Sequence, residues 1–329
     1  MAAHRLFASG GERHRPVTVA IPVRNGGALL CEVLAAIAAQ RVDRPVELLV
    51  ADTASTDGSA DVARSFGATV VPIERFSHGG TRNLLMERAK GSHVAFLTQD
   101  AVPDGEQWLA GLLAGFELAA DVALVCGPSR ARPGAPTAVA REQDAWFHSL
   151  SPDGASRLDR TREPRGPSAV TFCSSANCAV ARAAWQRVPF RAVPYAEDQA
   201  LALDMLRAGY AKVFAPAAAV VHSHEYTALS QFRRTFDEWR GLREVHGWVQ
   251  PLALAGTLLT IQSQVRKDLR SARSRGVPPD ALLAEMAGSL RHWAVRAAGA
   301  AAGSRADRLP PAVRVLCSLE RRASFEPLA

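Results

Sequence analysis

From residue 17 to residue 126 the chain alternates short apolar runs with segments whose apolar residues recur at helical spacing. VTVAI (17–21), VELLVA (46–51), ATVVPI (68–73), HVAFL (93–97) and VALVC (122–126) have the length and β-rich composition of strands. Between them ALLCEVLAAIAAQ (28–40) carries an apolar helical face, and further helices are predicted over 59–66, from about 80 to 89, and near 106–119. Strands apolar on both faces and separated by helices predict a mostly parallel sheet covered on each side. The stretch from Arg130 to Gly166 is rich in Pro, Gly, Ser and charge, and predicts a helix between loops of the sort that close over substrates. Order resumes at VTFCSSANCAVAR (170–182), followed by a helix from Glu197 to Gly209 and two short strands in KVFAP and AAVVHSHEY. After Ser230 the pattern is entirely helical. The predicted division is a flexible N-terminus (1–15), an α/β domain (16–230) and a helical C-terminal region (231–329).

Composition narrows the partners. The net charge is +7, and from Phe232 onward 16 Lys and Arg stand against 9 Asp and Glu, so the excess lies in the helical region. Such a surface suits anionic lipid or an anionic substrate. Aromatic residues make up 6% of the chain and do not interleave with the basic ones, so nucleic acid is the least attractive partner. Trp239, Trp248 and the apolar PLALAGTLL run, followed by QVRKDLRSARSR, could lie against anionic lipid, or else that apolar face is packed core or a dimer interface. The first fifteen residues have no apolar core of signal-peptide length, and no run of eighteen uncharged apolar residues occurs. The five scattered cysteines lack zinc-site spacing and read as reduced thiols. The expected location is cytoplasmic, with peripheral contact at the inner face of the cell membrane.

In open α/β sheets ligands bind at the carboxyl ends of the strands. Asp52, Asp100 and, a few residues past the first strand, Asn25 all fall there. VRNGG is neither a dinucleotide fingerprint nor a P-loop, so any nucleotide is held by another device. In HGGTRN, Gly79 and Gly80 mark a close backbone approach. Arg82 follows near a helix start, suited to phosphate or a nucleobase carbonyl, or else to a carboxylate that holds the fold.

PVRNGGALL, ADTASTDGSADVA, HGGTRNLLMERAKGSHVAFLTQDAVP, SSANCAVAR and AEDQALALDMLRAGY occur in the order found in family 2 glycosyltransferases of the GT-A fold. HGGTRN, TQDA, SSANCAVAR and HSHEY together resemble the bacterial rhamnosyltransferase branch, and the resemblance spans roughly residues 17 to 236. It implies a GT-A sheet flanked by helices with a C-terminal helical extension, and an inverting transferase of polysaccharide biosynthesis. The implied donor is a nucleotide sugar, dTDP-L-rhamnose first, and the implied acceptor a hydroxyl of a glycan or lipid-linked glycan.

The resemblance also implies roles for particular residues. Asp52 would face the nucleobase with Pro22 and Asn25 nearby. Asp100 would be the ligand of a Mg²⁺ or Mn²⁺ ion on the diphosphate, where a cation stabilises the departing charge. The family's Asp-x-Asp is here Thr98-Gln99-Asp100, with Thr98 and Gln99 on the nucleotide side. In the acidic pair Asp198 would accept the acceptor's proton and Glu197 would orient it or bind acceptor. Asn177 and Arg182 resemble positions near donor sugar or acceptor. His222 and His224 are candidates for the metal or diphosphate. If extended they face opposite sides, and His222 has the better register. Asp57 reads as a helix cap. The rivals are a transferase using another UDP-, GDP- or dTDP-sugar, a nucleotidyltransferase, and a non-catalytic sugar-binding or scaffold protein on this fold.

Overall fold

The computed structural model describes residues 15–321, so residues 1–14 of the expected flexible N-terminus lie outside the described residues. The front of the chain runs β1 (Val17–Val23), α1 (Gly27–Ala38), β2 (Val46–Asp52), α2 (Ser59–Ser65), β3 (Thr69–Pro72), α3 (His78–Arg88) and β4 (His93–Leu97). Then come β5 (Val102–Pro103), α4 (Trp108–Phe116), β6 (Val122–Cys126), β7 (Ser129–Arg130), α5 (Thr137–Leu150) and β8 (Arg157–Asp159). They are followed by β9 (Asn177–Ala181), α6 (Arg182–Trp185), α7 (Glu197–Arg207), β10 (Ala211–Phe214) and β11 (Val220–Val221). The helical region is α8 (Ala228–His246), α9 (Leu254–Ser274), α10 (Leu282–Gly303) and α11 (Pro311–Cys317).

Eight strands form one sheet in the order β3-β2-β1-β4-β9-β6-β10-β8. β3, β2, β1 and β4 are mutually parallel, as are β6 and β10, whereas β9 runs antiparallel between β4 and β6. Alternate residues of each strand enter opposite cores. Val19 and Ile21 of β1 join Leu30, Leu34, Trp108 and Leu112 of α1 and α4 on one face. Ala20, with Val94 and Phe96 of β4, joins Leu85, Met86, Leu201 and Met205 of α3 and α7 on the other. The expected mostly parallel sheet with helices on both faces and a helical C-terminal extension is present.

Two features differ from the sequence reading. Within the stretch from Arg130 to Gly166, α5 is joined by an edge strand, β8, paired antiparallel to β10. The buried Lys212 of β10 holds that edge, its ammonium 3.5 Å from Asp159 and donating to the carbonyls of Ala169 and Phe172. AAVVHSHEY is extended only at Val220–Val221, where β11 pairs antiparallel with β5 and parallel with β7 in a second, three-stranded sheet. Among the described residues no helix is long and apolar enough to cross a membrane, and the five cysteines are unpaired.

In the helical region α10 lies close against α8. A Cβ on Gly303 would come within 2.3 Å of the Phe236 carbonyl, and one on Gly299 within 2.8 Å of Thr235, so only glycine permits this approach. Gly241 of α8 packs in the same way on the carbonyl of Tyr195, bracing the loop that leads into α7.

Candidate active site

Parallel pairing brings the ends of β1 and β2 level, with Asp52 beside Val23. One oxygen of Asp52 accepts from the Ser55 amide at 3.1 Å, while Oδ1 is buried without a partner. A buried unpaired carboxylate oxygen is costly unless a ligand completes it. The turn is fixed by Asn25, in the left-handed region at φ 51°, whose amide donates to Ser55 and whose side-chain oxygen accepts from Thr56. Ala54, at φ 48°, is a second non-glycine residue in that region. Asp57 lies one residue before the α2 cap, Gly58, and accepts from the amides of both Ser59 and Gly27, tying two helix starts together. Pro22 is half-buried and paired across to Ala51.

β4 ends at Leu97, and Thr98 and Gln99 lead to Asp100. Gln99 spends its amide on the backbone of Arg24, accepting from its N–H at 2.7 Å and donating to its carbonyl at 3.2 Å. It therefore fastens the β1 and β4 ends to each other, a different role from the expected nucleotide contact.

Just past Asp100, Val102 of β5 pairs with Val221 of β11, which carries His222 to the carboxylate. His222 Nε2 lies 3.5 Å from one oxygen of Asp100, and His224 Nδ1 lies 3.7 Å from the other. The expectation that the two imidazoles face opposite sides is corrected. Alternation ends with the strand at Val221, and both rings turn to the same acid, crossing edge to face at 4.7 Å. The donor atoms of the three residues lie within 4.8 Å of one another, a set that fits a divalent cation. Burial, then the neighbouring His222, pushes His224 down to about 4, so near neutral pH its ring keeps a free lone pair. Burial alone would raise the Asp100 carboxyl, but His222 holds it well below the usual range. Two supports were not legible in the sequence. Arg132 donates to the Asp100 carbonyl at 2.5 Å, and Gln143 of α5 donates to the His222 carbonyl at 3.0 Å. Their contacts are made across the fold, and a basic residue in a Pro- and Gly-rich loop is no signal by itself.

The acidic pair opens α7, immediately after Ala196 at φ 64°. Glu197 is buried, with Arg82 3.1 Å away, and Arg82 also donates to the His78 carbonyl at 2.9 Å. Of the two roles weighed for Arg82, the structure gives it the carboxylate partner rather than a phosphate or nucleobase. Burial works against the charge on Glu197, but Arg82 and then His78 overcome it and lower its carboxyl. Asp198 accepts from the Ser175 amide at 2.9 Å and from the Gln199 amide at 2.7 Å. Burial, then the adjacent Glu197 charge, pushes it up to about 6. The two neighbouring carboxyls are thus driven in opposite directions, Glu197 towards the charged form and Asp198 towards the protonated one.

Two sequence expectations are corrected. Asn177 is fully buried, accepting from the Trp108 indole at 2.8 Å and donating to the carbonyls of Pro128 and Ala218. It is a core bracket with no face left for a sugar. Arg182 lies at the far end of β9, beside Ser92 at the start of β4, and donates to the Met86 carbonyl. The close backbone approach expected at Gly79 is present, and its partner is the Arg191 carbonyl, 2.2 Å from a Cβ placed there.

A family model described as glycosyl transferase family 2 matches residues 18–186. The chain belongs to glycosyl transferase family 2. Among relatives of this family 2 protein, the O-antigen chain rhamnosyltransferase RfbN of Salmonella typhimurium is 30% identical over 228 residues, covering 67% of this chain and 70% of that one. WbaN of Salmonella anatum, also an O-antigen chain rhamnosyltransferase, is 28% identical over 230 residues with the same coverage. Among solved structures, the mannosyltransferase PcManGT from Pyrobaculum calidifontis, in complex with GDP-Man and Mn²⁺, superposes with a TM-score of 0.59 at 20% identity. The match covers 88% of this chain and 87% of that one. The mannosyl-3-phosphoglycerate synthase of Rubrobacter xylanophilus gives a TM-score of 0.52 at 19% identity, over 73% and 77% of the two chains. These superpositions support the GT-A fold of this family 2 glycosyltransferase.

Proposed function

We propose that the protein is an inverting, divalent-metal-dependent glycosyltransferase that moves L-rhamnose from dTDP-L-rhamnose onto a hydroxyl of a glycan or lipid-linked glycan. The observation that carries the reading is Asp100 flanked by two imidazoles at the carboxyl end of β4. Asp100, His222 and His224 would hold the cation, which when bound supplies Lewis-acid stabilisation of the departing diphosphate. Two imidazoles in the set favour Mn²⁺ over the strictly oxygen-seeking Mg²⁺. Asp52, through its unpaired oxygen, accepts the ring N–H of the nucleobase, with Pro22, Asn25 and Thr98 shaping that end.

Asp198 takes the acceptor hydroxyl's proton as that oxygen forms its bond to the anomeric carbon. The bond from that carbon to the diphosphate oxygen breaks with its electron pair leaving on the diphosphate, so configuration inverts. A base raised to about 6 is mostly ionised at neutral pH and stronger than an ordinary aspartate. The rhamnosyltransferases among the relatives favour the dTDP donor, and the GDP-mannose of PcManGT supplies the competing one. The functional division follows residues 16–230 for catalysis, with 231–329 contributing to the acceptor side. Exposed leucines at the start of α9 would meet the membrane that presents a lipid-linked acceptor.

The test is thermal stability of the purified chain with dTDP, UDP and GDP, each with and without Mn²⁺ or Mg²⁺, since a ligand of the folded state raises its apparent stability. Metal-dependent stabilisation by dTDP supports the reading. Selective response to UDP or GDP keeps the enzyme and discards rhamnose, and no response to any of the three sinks it.

A further inference from the structure

We infer that the cavity between α5, His222, His224 and the C-terminal helices is the acceptor subsite, and that it takes a neutral oligosaccharide. The inference rests on the transferase reading above and names what that transferase accepts.

The cavity has a volume of about 990 Å³. That is at the upper end of ligand pockets, roughly 300–1,000 Å³, and leaves room for several sugar rings. His222 and His224 stand in its wall, as does Gln199, the residue after Asp198. Asp52 and Asp100 do not line it, so it opens on the side of the imidazoles away from the nucleotide end. A sugar held there has His222, His224 and Gln199, the neighbour of the proposed base, at one end.

The lining specifies the ligand class. Four of the chain's six tryptophans, Trp146, Trp239, Trp248 and Trp293, face this one space. Flat aromatic surfaces with a polar N–H suit pyranose rings, which are apolar on their C–H faces and polar at their edges. Four arginines in the lining are matched by four glutamates, with no Asp or Lys, so the formal charge cancels. Glu142 is already held by Arg296 and His292, each at 2.8 Å, and Glu238 lies 3.8 Å from Arg296. A phosphorylated ligand needs a surplus of cations that this wall does not offer. Gln143, fixed through its donor to the His222 carbonyl, keeps its side-chain oxygen buried and unpartnered. That oxygen is a ready acceptor for a sugar hydroxyl.

The probe is an array of neutral di- and trisaccharides with bacterial lipopolysaccharide-derived oligosaccharides, followed by saturation-transfer NMR on those retained. Phosphorylated hydroxy acids serve as anionic competitors. The variants are Trp146→Ala and Trp248→Ala. These side chains are 40% and 41% exposed, so their truncation leaves the core standing, and the nucleotide thermal shift with Mn²⁺ confirms folding and donor binding in each. The expected result is oligosaccharide binding by the wild type, weakened about tenfold in each variant with the nucleotide shift unchanged. Equal binding by both variants, preference for the anionic acids, or no retained oligosaccharide while the nucleotide shift persists overturns the acceptor assignment. Loss of the nucleotide shift in the wild type removes the transferase reading, and the acceptor assignment with it.

Discussion

Arg82 lies 3.1 Å from Glu197 in an ion pair almost wholly withdrawn from water. It keeps a negative charge fixed beside Asp198, and that charge helps raise the Asp198 carboxyl. Removing one member of a buried pair strands the other. Arg82→Met is therefore expected to lose about 3–5 kcal/mol of stability by chemical denaturation. The loss should be smaller in the double variant Arg82→Met/Glu197→Gln, where no charge is left alone.

With Asp198 as the proposed base, its carboxyl should set a pH limb. Activity should fall about tenfold per unit below a pH of about 6 as the base takes a proton. Glu197→Gln removes one of the causes of the upward shift, so the limb in kcat/KM should move to lower pH. A limb that stays in place would remove Asp198 as the base.

Stability carries the same titration with a definite sign. The folded carboxyl is raised from its ordinary 3.8 to about 6, so the folded state binds the proton more tightly than the unfolded state. That contribution is complete below the lower value and is lost as pH rises through the upper one. Asp198→Asn, which mimics the protonated form, should abolish turnover while raising Tm at pH 7.5 relative to wild type, with little gain at pH 4.

Asp100→Ala, His222→Ala and His224→Ala should each cost at least about 100-fold in activity, more than loss of a partner outside the metal shell. Each should also abolish the Mn²⁺-dependent part of nucleotide stabilisation. A His224→Ala variant that kept full Mn²⁺ dependence would confine the metal role to Asp100 and His222.

Asn177→Ala separates core from site. It strands the Trp108 indole and two carbonyls, so a loss of about 3 kcal/mol or more is expected in denaturant unfolding. The affinity of the folded fraction for nucleotide should be unchanged.

Just before and at the start of α9, Leu252, Leu254, Leu258 and Leu259 are each at least 65% exposed. Further along the helix come the exposed Arg266, Lys267, Arg270 and Arg273. The chain should co-sediment with phosphatidylglycerol vesicles, and Leu254→Glu/Leu258→Glu should release it. If the leucines instead join two copies, the variant will turn a dimer into a monomer without touching vesicle binding.

Much of the frame was legible because it is written locally. Apolar runs such as VAFL in β4 and VALVC in β6 have no place but a sheet covered on both sides, and Asp52 and Asp100, at the ends of β2 and β4, fall at its carboxyl edge. What escaped was decided by distant partners. Asn177 reads as a polar motif residue, yet its amide is claimed by Trp108, Pro128 and Ala218 from three other segments. Both imidazoles meet Asp100 because a two-residue strand pairing ends at Val221, a stop that no alternation of side chains announces. The edge strand β8, RLD, has too few apolar residues to show a period and is defined by Lys212 beneath it.

The antiparallel placement of β9 has a consequence for biosynthesis. β4 and β6 follow each other in the chain, but between them lies the slot for β9, which is supplied only at residues 177–181. A ribosome that has released the first 150 residues has made β3, β2, β1 and β4 on one side and β6 on the other, with an open seam between β4 and β6. Both banks of that seam are apolar and unpaired, the kind of edge that recruits other chains. Closure of the sheet therefore waits on the SSANCAVAR segment, which supplies β9. Slowing translation between α5 and β9 should increase the fraction captured by chaperones or lost to aggregates, whereas the same pause after β10 should not.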